Sequence, residues 1–144
     1  MPTPGCQYRH EVHECGRQVV GDLGRGTLDL DAILAISEPL GLVGFYVFTT
    51  ETSTPGNAVS ARMFAPRYGI DEESATGMAA GPLACLLHDR LRVAGDTIVI
   101  EQGMFMAPPS PSLLEARLDL KGDAITGLMV GGFGAVIEDR EIDY

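Results

Sequence analysis

The chain has 144 residues, of which 45% are hydrophobic and 21% are charged; this composition is ordinary for a soluble globular protein and sufficient for one buried core. Twenty acidic residues outnumber ten basic ones, so the formal net charge is −10. This balance argues against nucleic acid and against anionic membranes as partners, because both bind basic surfaces.

The N-terminal segment and the cysteine content predict a cytoplasmic location. Residues 1–5 lack the basic and apolar regions of a signal peptide, and no apolar run reaches the length that spans a bilayer. Three cysteines, an odd number, are typical of free thiols in a reducing compartment. We therefore expect residues 1–144 to form a single cytoplasmic domain.

One cluster near the N terminus has the chemistry of a metal site. It consists of Cys6, His10, His13 and Cys15. Two cysteines and two histidines are a donor set that zinc accepts, but the C-x₃-H-x₂-H-x-C spacing leaves very short loops between the ligands. We interpret the cluster as incidental, and we expect neither a metal nor a cofactor.

The next predicted elements are a short strand over residues 17–23 and an amphipathic helix over residues 28–40. The helix should begin at Asp29 or Asp31 and end at Gly41. Its apolar stripe consists of Leu30, Ile33, Leu34 and Ile36. We expect this helix to cover one face of a sheet.

A β-hairpin is predicted after this helix. Residues 41–52 are rich in Val, Phe, Tyr and Thr and favour a strand. Residues 53–57, with the sequence STPGN, predict a turn. Residues 58–65 then return as the partner strand.

Two arginines follow, and each has two interpretations. Arg62 and Arg67 are the cations nearest in sequence to an acidic pair, Glu72 and Glu73. They could clamp a substrate carboxylate, or they could form ion pairs with these acids. We favour the ion pairs.

The central element is an apolar helix, predicted over residues 75–91. Residues 78–87 contain no charged side chain, and a helix that is apolar all round is buried all round. Because Pro82 is tolerated only near the first turn, the helix should begin close to residues 77–79.

The start of this helix is a candidate anion site. Ser74 or Thr76 should cap it. The backbone N–H groups of Gly77, Met78 and Ala79 would then be free donors at the positive end of the helix dipole, where they suit a substrate carboxylate.

Glu73 lies just ahead of these amides. It is either an acid/base group beside a bound substrate or, with Glu72, a surface charge that complements the helix dipole. His88 is on the order of 15 Å from the helix start at helical rise, so we exclude it from the same reaction centre. By the same reasoning Cys85 is core filler.

The C-terminal third predicts strands. Residues 96–102 form one strand with Ile98 and Ile100 on one face, and the proline-rich residues 107–111 form an irregular link. Apolar and charged residues then alternate over residues 114–121, which is typical of a strand with one buried face. After a turn at Gly122-Asp123, residues 124–138 make the last strand or strand pair, with a bend at the glycines 131–134. The predicted fold class is α+β, an antiparallel-rich sheet curled around the central helix, with a second short helix outside.

Several ordered motifs resemble those of the PhzF-like (phenazine biosynthesis) isomerase family. Residues 62–66 (RMFAP) and 69–79 (GIDEESATGMA) are close to the pattern R-x-F-A-P-x-x-G-I-x-E-D-P-A-T-G-S-A in the family's second lobe. Later matches are the Q-G and R-P-S segment and the closing V-G-G strand, at residues 100–103, 109–110 and 130–132. The resemblance covers about residues 41–138.

The resemblance implies one lobe of a diaminopimelate-epimerase-like or PhzF-like fold, with a curled sheet around a buried helix. It also implies a cofactor-independent isomerase that moves a proton on a small carboxylate metabolite. By this resemblance Glu73 is the catalytic residue, as the acid/base itself or as the group that orients a partner acid. The implied substrate-binding residues are Ala75, Thr76, Gly77, Met78 and Ala79.

Three positions depart from the family pattern: Glu73 replaces Asp, Ser74 replaces Pro, and Met78 replaces Ser. Methionine cannot supply the serine hydroxyl. No segment matches the family's first lobe, which carries the proton-shuttling glutamate and a G-H-A-T-like segment. We therefore expect half an active site, completed in a homodimer or by a separately encoded first lobe; the alternative is a non-catalytic module that binds a small molecule or a protein.

Overall fold

The computed structural model describes residues 23–24, 28–136 and 138–142. Within these residues the chain forms two α-helices and six β-strands. In chain order they are α1 (Leu30–Leu40), β1 (Phe45–Thr49), β2 (Val59–Ala65), β3 (Ile70–Glu73), α2 (Gly77–Asp89), β4 (Thr97–Gln102), β5 (Ser112–Lys121) and β6 (Ala124–Gly132). The Cys6, His10, His13 and Cys15 cluster lies outside the described residues, as does the strand predicted over residues 17–23 except for Leu23.

The strands form one curled, open sheet in the order β1-β2-β4-β5-β6, and β3 also pairs with β2. The β2–β4 pair is parallel, and the other pairs are antiparallel. The predicted hairpin is confirmed as β1–β2, and the predicted turn at Gly122-Asp123 joins β5 to β6. The predicted fold class, α+β with an antiparallel-rich curled sheet around a central helix, is confirmed.

The core lies between α2 and the inner face of the sheet. Strand alternation sends every second side chain inward, so Ile98 and Ile100 are both buried, as predicted. They join a cluster of small and branched residues: Val59, Ala61, Ala80, Leu83, Ala84, Cys85, Leu87, Leu114, Ala116 and Leu118. The alternating pattern of β5 therefore has the predicted buried face, with Glu115, Arg117 and Asp119 on the opposite side.

Small residues let α2 approach β6 closely. A Cβ atom added to Gly81 would lie 3.0 Å from Leu128 Cδ1. The narrower expectation that α2 is buried on every side is wrong at its first turns, where the side chain of Met78 is 90% exposed and Pro82 is also exposed. The sheet is not closed, so it leaves this face of the helix uncovered. Neither helix among the described residues has the length and hydropathy to cross a membrane.

Helix α1 begins and ends where its sequence predicts. The Asp29 side chain accepts a hydrogen bond from the Ala32 N–H at 2.9 Å, and Gly41 adopts a left-handed conformation with φ of 63°. The helix contacts β2 and a 3₁₀ turn at Pro66–Tyr68. Because α1 packs mainly against these two elements, Ile36 of the predicted apolar stripe is not buried and remains exposed.

Strand β3 was not expected, because its sequence, IDEE, is dominated by acids. It contains Glu72 and Glu73, which the sequence pattern assigns to the polar start of the helix. At the other end of the chain β6 stops at Gly132, and residues 133–136 have no regular secondary structure. The last predicted strand is therefore shorter than its sequence pattern suggests.

Candidate functional site

The head of α2 presents backbone donors to solvent. Thr76 occupies the N-cap position, and the first backbone bond runs from the Ala80 N–H to the Thr76 carbonyl at 3.0 Å. In the described part of the chain no acceptor is bonded to the amide N–H groups of Gly77, Met78 or Ala79. These amides are the unsatisfied donors that every helix start carries.

The side chain of Thr76 does not cap the helix as its sequence position suggests. Its hydroxyl donates to Glu73 Oε2 at 2.6 Å and accepts from Gln102 Nε2 at 2.9 Å. The hydroxyl therefore connects Glu73 to the interior of the sheet. The predicted position of the cap is confirmed, but the helix amides are left without a side-chain acceptor from Thr76.

Sheet register places Glu73 on the inner face. Glu73 lies opposite Met63 of β2, and Met63 lies opposite Tyr46 of β1. Because successive side chains of a strand point to opposite faces, Glu72 points outward and Glu73 points toward the helix head. The half-buried Glu73 carboxylate is thus brought next to Thr76.

On the outer face of the sheet, Glu72 forms an ion pair with Arg62. Both Glu72 carboxylate oxygens accept from Arg62 Nε and Nη2, each at 2.8 Å. Arg62 Nη1 donates to the Leu23 carbonyl at 2.7 Å, and the guanidinium lies 5.0 Å from the centre of the Phe64 ring. The ion-pair interpretation of Arg62 is confirmed, and its donors are committed to these contacts rather than to a substrate.

Arg67, the second candidate cation, forms no ion pair with either acid. Its Nη1 donates to the Leu42 carbonyl at 3.4 Å, and its guanidinium lies 5.7 Å from the centre of the Tyr68 ring. The ion-pair interpretation is therefore wrong for Arg67, because its side chain is directed toward Leu42, just after α1.

Gln102 belongs to the site, although no chemical pattern in the sequence marks it as a site residue. It is fully buried at the end of β4. Its Nε2 donates to the Glu73 carbonyl at 2.7 Å and to Thr76 Oγ1, while its Oε1 accepts from Tyr46 Oη at 2.8 Å and from the Thr76 N–H at 3.2 Å. The one available signal was the Gln-Gly pair of the family-like segment at residues 100–103.

Tyr46 is the titratable group that contacts this network from β1. Burial raises the pKa of its phenol, and the negative charge of Glu73 raises it further. The phenol therefore stays protonated and acts as a hydrogen-bond donor to Gln102. The sequence pattern marks Tyr46 only as a strand residue.

The loop after β4 packs against the segment before α2. Gly103 has a φ of 77°, and a Cβ atom there would collide with the Ser110 carbonyl and lie 3.1 Å from the Ser74 carbonyl oxygen. The Ser110 N–H also donates to the Gly103 carbonyl at 3.0 Å. A glycine is required here because the backbone is left-handed and two other backbone segments approach it closely.

Glu101 is also fully buried, but it points away from the helix head. Its carboxylate accepts from the Ser53 and Thr54 N–H groups, from Asn57 Nδ2 and from Ser60 Oγ, at 2.7 to 2.9 Å. Burial alone would raise its pKa; the four hydrogen bonds outweigh burial and lower the pKa from 4.5 to about 2. Glu101 therefore anchors the turn between β1 and β2.

Other predicted chemistry lies elsewhere. His88 is in the last turn of α2, with Nδ1 3.1 Å from Asp89 Oδ1, and Cys85 is buried in the core. His88 therefore lies at the end of α2 that is farther from Glu73, as expected. Among the described residues no three His, Cys, Asp or Glu side chains are grouped as metal ligands would be.

Comparison with known proteins matches this chain to one family. The family model described as phenazine biosynthesis-like protein (PhzC-PhzF) matches residues 28–140. The trans-2,3-dihydro-3-hydroxyanthranilate isomerase of Pseudomonas chlororaphis is 42% identical over 81 residues, which are 55% of this chain and 28% of that protein. An uncharacterized isomerase of Deinococcus radiodurans is 34% identical over 112 residues, or 75% of this chain and 35% of that protein.

Solved structures show the same fold. A phenazine biosynthesis protein of the PhzF family from Bacillus anthracis aligns with a TM-score of 0.53 and 15% sequence identity. The alignment covers 72% of this chain and 35% of that protein. The matched part of the chain spans between 28% and 38% of the length of its curated relatives. On the family model and these relatives, the chain belongs to the phenazine biosynthesis-like (PhzC-PhzF) family.

Proposed function

We propose that this chain is a cofactor-independent isomerase that transfers a proton at a carbon atom of a small carboxylate metabolite. Glu73 is the acid/base group, and the substrate-binding residues are those from Ala75 to Ala79. The observation that carries the proposal is the position of Glu73, whose carboxylate accepts a hydrogen bond from Thr76, the N-cap residue of α2. The names of the isomerase relatives support the reaction class.

The proposed chemistry follows from the groups at the helix head. A carbon atom next to a carboxylate or an imine is weakly acidic, so proton removal needs a positioned base and stabilisation of the developing negative charge. Glu73 provides the base. The amides of Gly77, Met78 and Ala79 bind the carboxylate at the positive end of the helix dipole. Because Met78 lacks a hydroxyl, binding here relies on backbone donors.

A second protein surface completes the site, because a single lobe leaves the helix head exposed to solvent. We favour a homodimer in which the two helix heads face each other and two Glu73 carboxylates share one site. Exposed apolar side chains support an association surface: Met78 at the helix head, and Phe133 just after β6. A separately encoded first lobe would serve the same purpose.

The deciding experiment is solvent-deuterium incorporation into trans-2,3-dihydro-3-hydroxyanthranilate and into small amino carboxylates. Wild-type protein should incorporate deuterium. Glu73→Gln should lower the rate by about a hundredfold or more, the usual contribution of a general base. Glu38→Gln is the matched control, since it removes one exposed carboxylate from α1 and should keep the wild-type rate.

The alternative function is a non-catalytic module that binds a small ligand or a protein. Ser74 and Met78, which replace the family's proline and serine, favour it. Absence of deuterium exchange with every such substrate, alone and with a first-lobe protein added, would contradict the isomerase and favour the module. Carboxylate-induced shifts of the Gly77–Ala79 amide signals would then identify its ligand class. Because the chain is strongly acidic, we propose neither nucleic acid nor a membrane as a partner. Because its cysteine content is typical of free thiols, we propose a cytoplasmic location.

A further inference from the structure

We propose that Gln102 is a positioning residue that fixes the direction of the hydrogen bonds around Glu73. As a result, the Thr76 hydroxyl donates to Oε2 of Glu73, and Oε1 of Glu73 is left as the reacting oxygen. The proposal rests on the proposed function for its catalytic meaning. The hydrogen-bond arrangement itself is testable without any activity.

Two backbone groups fix the orientation of the Gln102 amide. The Thr76 N–H can only donate, and it lies 3.2 Å from one end of the amide. The Glu73 carbonyl can only accept, and it lies 2.7 Å from the other end. The first end must therefore be Oε1 and the second Nε2. A flipped amide would place two donors together and two acceptors together inside the protein, which is costly for buried polar groups.

The fixed amide then determines the direction of the remaining bonds. Nε2 has two protons; one is bonded to the Glu73 carbonyl, and the other points at Thr76 Oγ1, 2.9 Å away. Thr76 Oγ1 must accept this bond. Its single proton is consequently available to Glu73 Oε2, 2.6 Å away. The Tyr46 hydroxyl lies 2.8 Å from Gln102 Oε1 and can only donate to this oxygen.

The consequence for Glu73 is an asymmetric carboxylate. Oε2 accepts a short hydrogen bond from Thr76, whereas Oε1 accepts none from any residue that the structure describes. Because Oε2 of Glu73 already accepts the Thr76 hydroxyl proton, Oε1 is the oxygen that accepts a proton from the substrate. Gln102 is fully buried and acts through its hydrogen bonds to Thr76 and to the Glu73 carbonyl, where β3 leads into α2.

The experiment compares Thr76→Val with Thr76→Ser in protein carrying ¹³C-labelled glutamate. Valine keeps the branched shape and removes the hydroxyl, whereas serine keeps the hydroxyl. The Glu73 carboxylate signal is identified by its loss in Glu73→Gln, and is followed by carbon NMR and by the infrared carboxylate stretch. We expect a changed Glu73 signal in Thr76→Val and the wild-type signal in Thr76→Ser.

Deuterium exchange provides the catalytic readout on the same variants. In Thr76→Val, kcat should fall about tenfold or more, because the base is disturbed. In Gln102→Met, which changes no proposed substrate-binding residue, kcat should also fall while KM stays near the wild-type value. Thr76→Ser should restore kcat. Gln102→Met removes the amide and leaves the Thr76 hydroxyl free to rotate, so the Glu73 signal should move part of the way from its wild-type position toward its position in Thr76→Val.

The outcomes separate this proposal from the proposed function. An unchanged Glu73 signal in folded Thr76→Val overturns the hydrogen-bond arrangement even if the wild-type protein is active. Absence of exchange in every variant contradicts the isomerase, and the carboxylate signal still decides the arrangement. If Thr76→Val does not fold, the wild-type Thr76 hydroxyl proton is the test: a slowly exchanging proton close to the Gln102 amide protons supports the proposal, and its absence overturns it.

Discussion

At the scale of single residues, Glu101 combines full burial with a full set of hydrogen bonds. Its four donors come from the turn after β1 and from the start of β2. The lowered pKa, from 4.5 to about 2, means that the ionised form stabilises the folded state. This contribution is complete above pH 4.5 and is lost as the pH falls toward 2.

We therefore predict that Glu101→Gln lowers the free energy of unfolding by about 3 kcal/mol at pH 7, the value that corresponds to this pKa difference. The gap between wild type and variant should narrow as the pH is lowered from 4.5 to about 2. Urea denaturation at several pH values measures it. Glu51→Gln, at an exposed neighbouring position, should change little, and a gap independent of pH would contradict the assignment.

Tyr46 contributes one hydrogen bond to the network around Gln102. Removal of this bond should not disrupt the rest of the network. In Tyr46→Phe the Gln102 amide keeps both of its backbone partners, so its orientation should not change. We predict a loss of about 1 kcal/mol in the free energy of unfolding, typical of one buried hydrogen bond, with the Glu73 carboxylate signal unchanged. Tyr68→Phe, on an exposed ring, is the control and should be neutral.

These contacts explain which part of the site the sequence could predict. Glu73, Thr76 and the helix amides are neighbours in the chain, so a local pattern and a family resemblance identify them together. Gln102 lies 26 residues beyond Thr76, and Tyr46 lies 56 residues before Gln102. Only the register of β1, β2 and β4 brings them to one place, and no local pattern encodes that register.

At the scale of elements, the loop after β4 fixes the segment that precedes α2, and two glycines make this testable. Gly103 and Gly69 have nearly the same φ, 77° and 73°, but only Gly103 has neighbours within 4 Å of an added Cβ. The two positions therefore share the strain of a left-handed backbone and differ in steric contact.

We predict that Gly69→Ala lowers the free energy of unfolding by about 1 to 2 kcal/mol, the cost of the left-handed conformation. Gly103→Ala should lower it by about 1 to 3 kcal/mol more, because the methyl group meets the Ser74 and Ser110 carbonyls. Thermal or urea unfolding of the two variants measures the difference. Equal losses would mean that the loop yields and does not hold the start of α2 in place.

The elements themselves were predicted unevenly, for physical reasons. The alternation of β5 and the apolar run of α2 are local consequences of burial, so both follow from sequence. Strand β3 is only four residues long and polar, IDEE, and it exists because β2 offers it a partner and Arg62 neutralises Glu72. The exposure of Met78 depends on how far the sheet curls, which is a property of all the strands together.

At the scale of the whole molecule, the open sheet leaves an unprotected end. Among the described strands β6 is the last in the sheet order. Its sequence, AITGLMVGG, has neither a charge nor a proline, the residues with which proteins usually protect an edge strand. Met129 is 71% exposed, and Phe133, just after the strand, is 90% exposed.

This edge gives the proposed homodimer a specific test. A buried interface loses affinity when a charge is placed inside it without a partner, and two copies would bring two new charges together. Strand β6 passes the helix head at Val130, 3.9 Å from a Cβ atom added to Gly77, and Phe133 follows it. We predict that wild-type protein sediments as a dimer and that Phe133→Asp sediments as a folded monomer without deuterium exchange. Ile36→Asp, an exposed apolar residue on α1, should remain dimeric and active. A wild-type monomer at concentrations where exchange is measured would exclude the shared site, because a single copy would then be sufficient for catalysis.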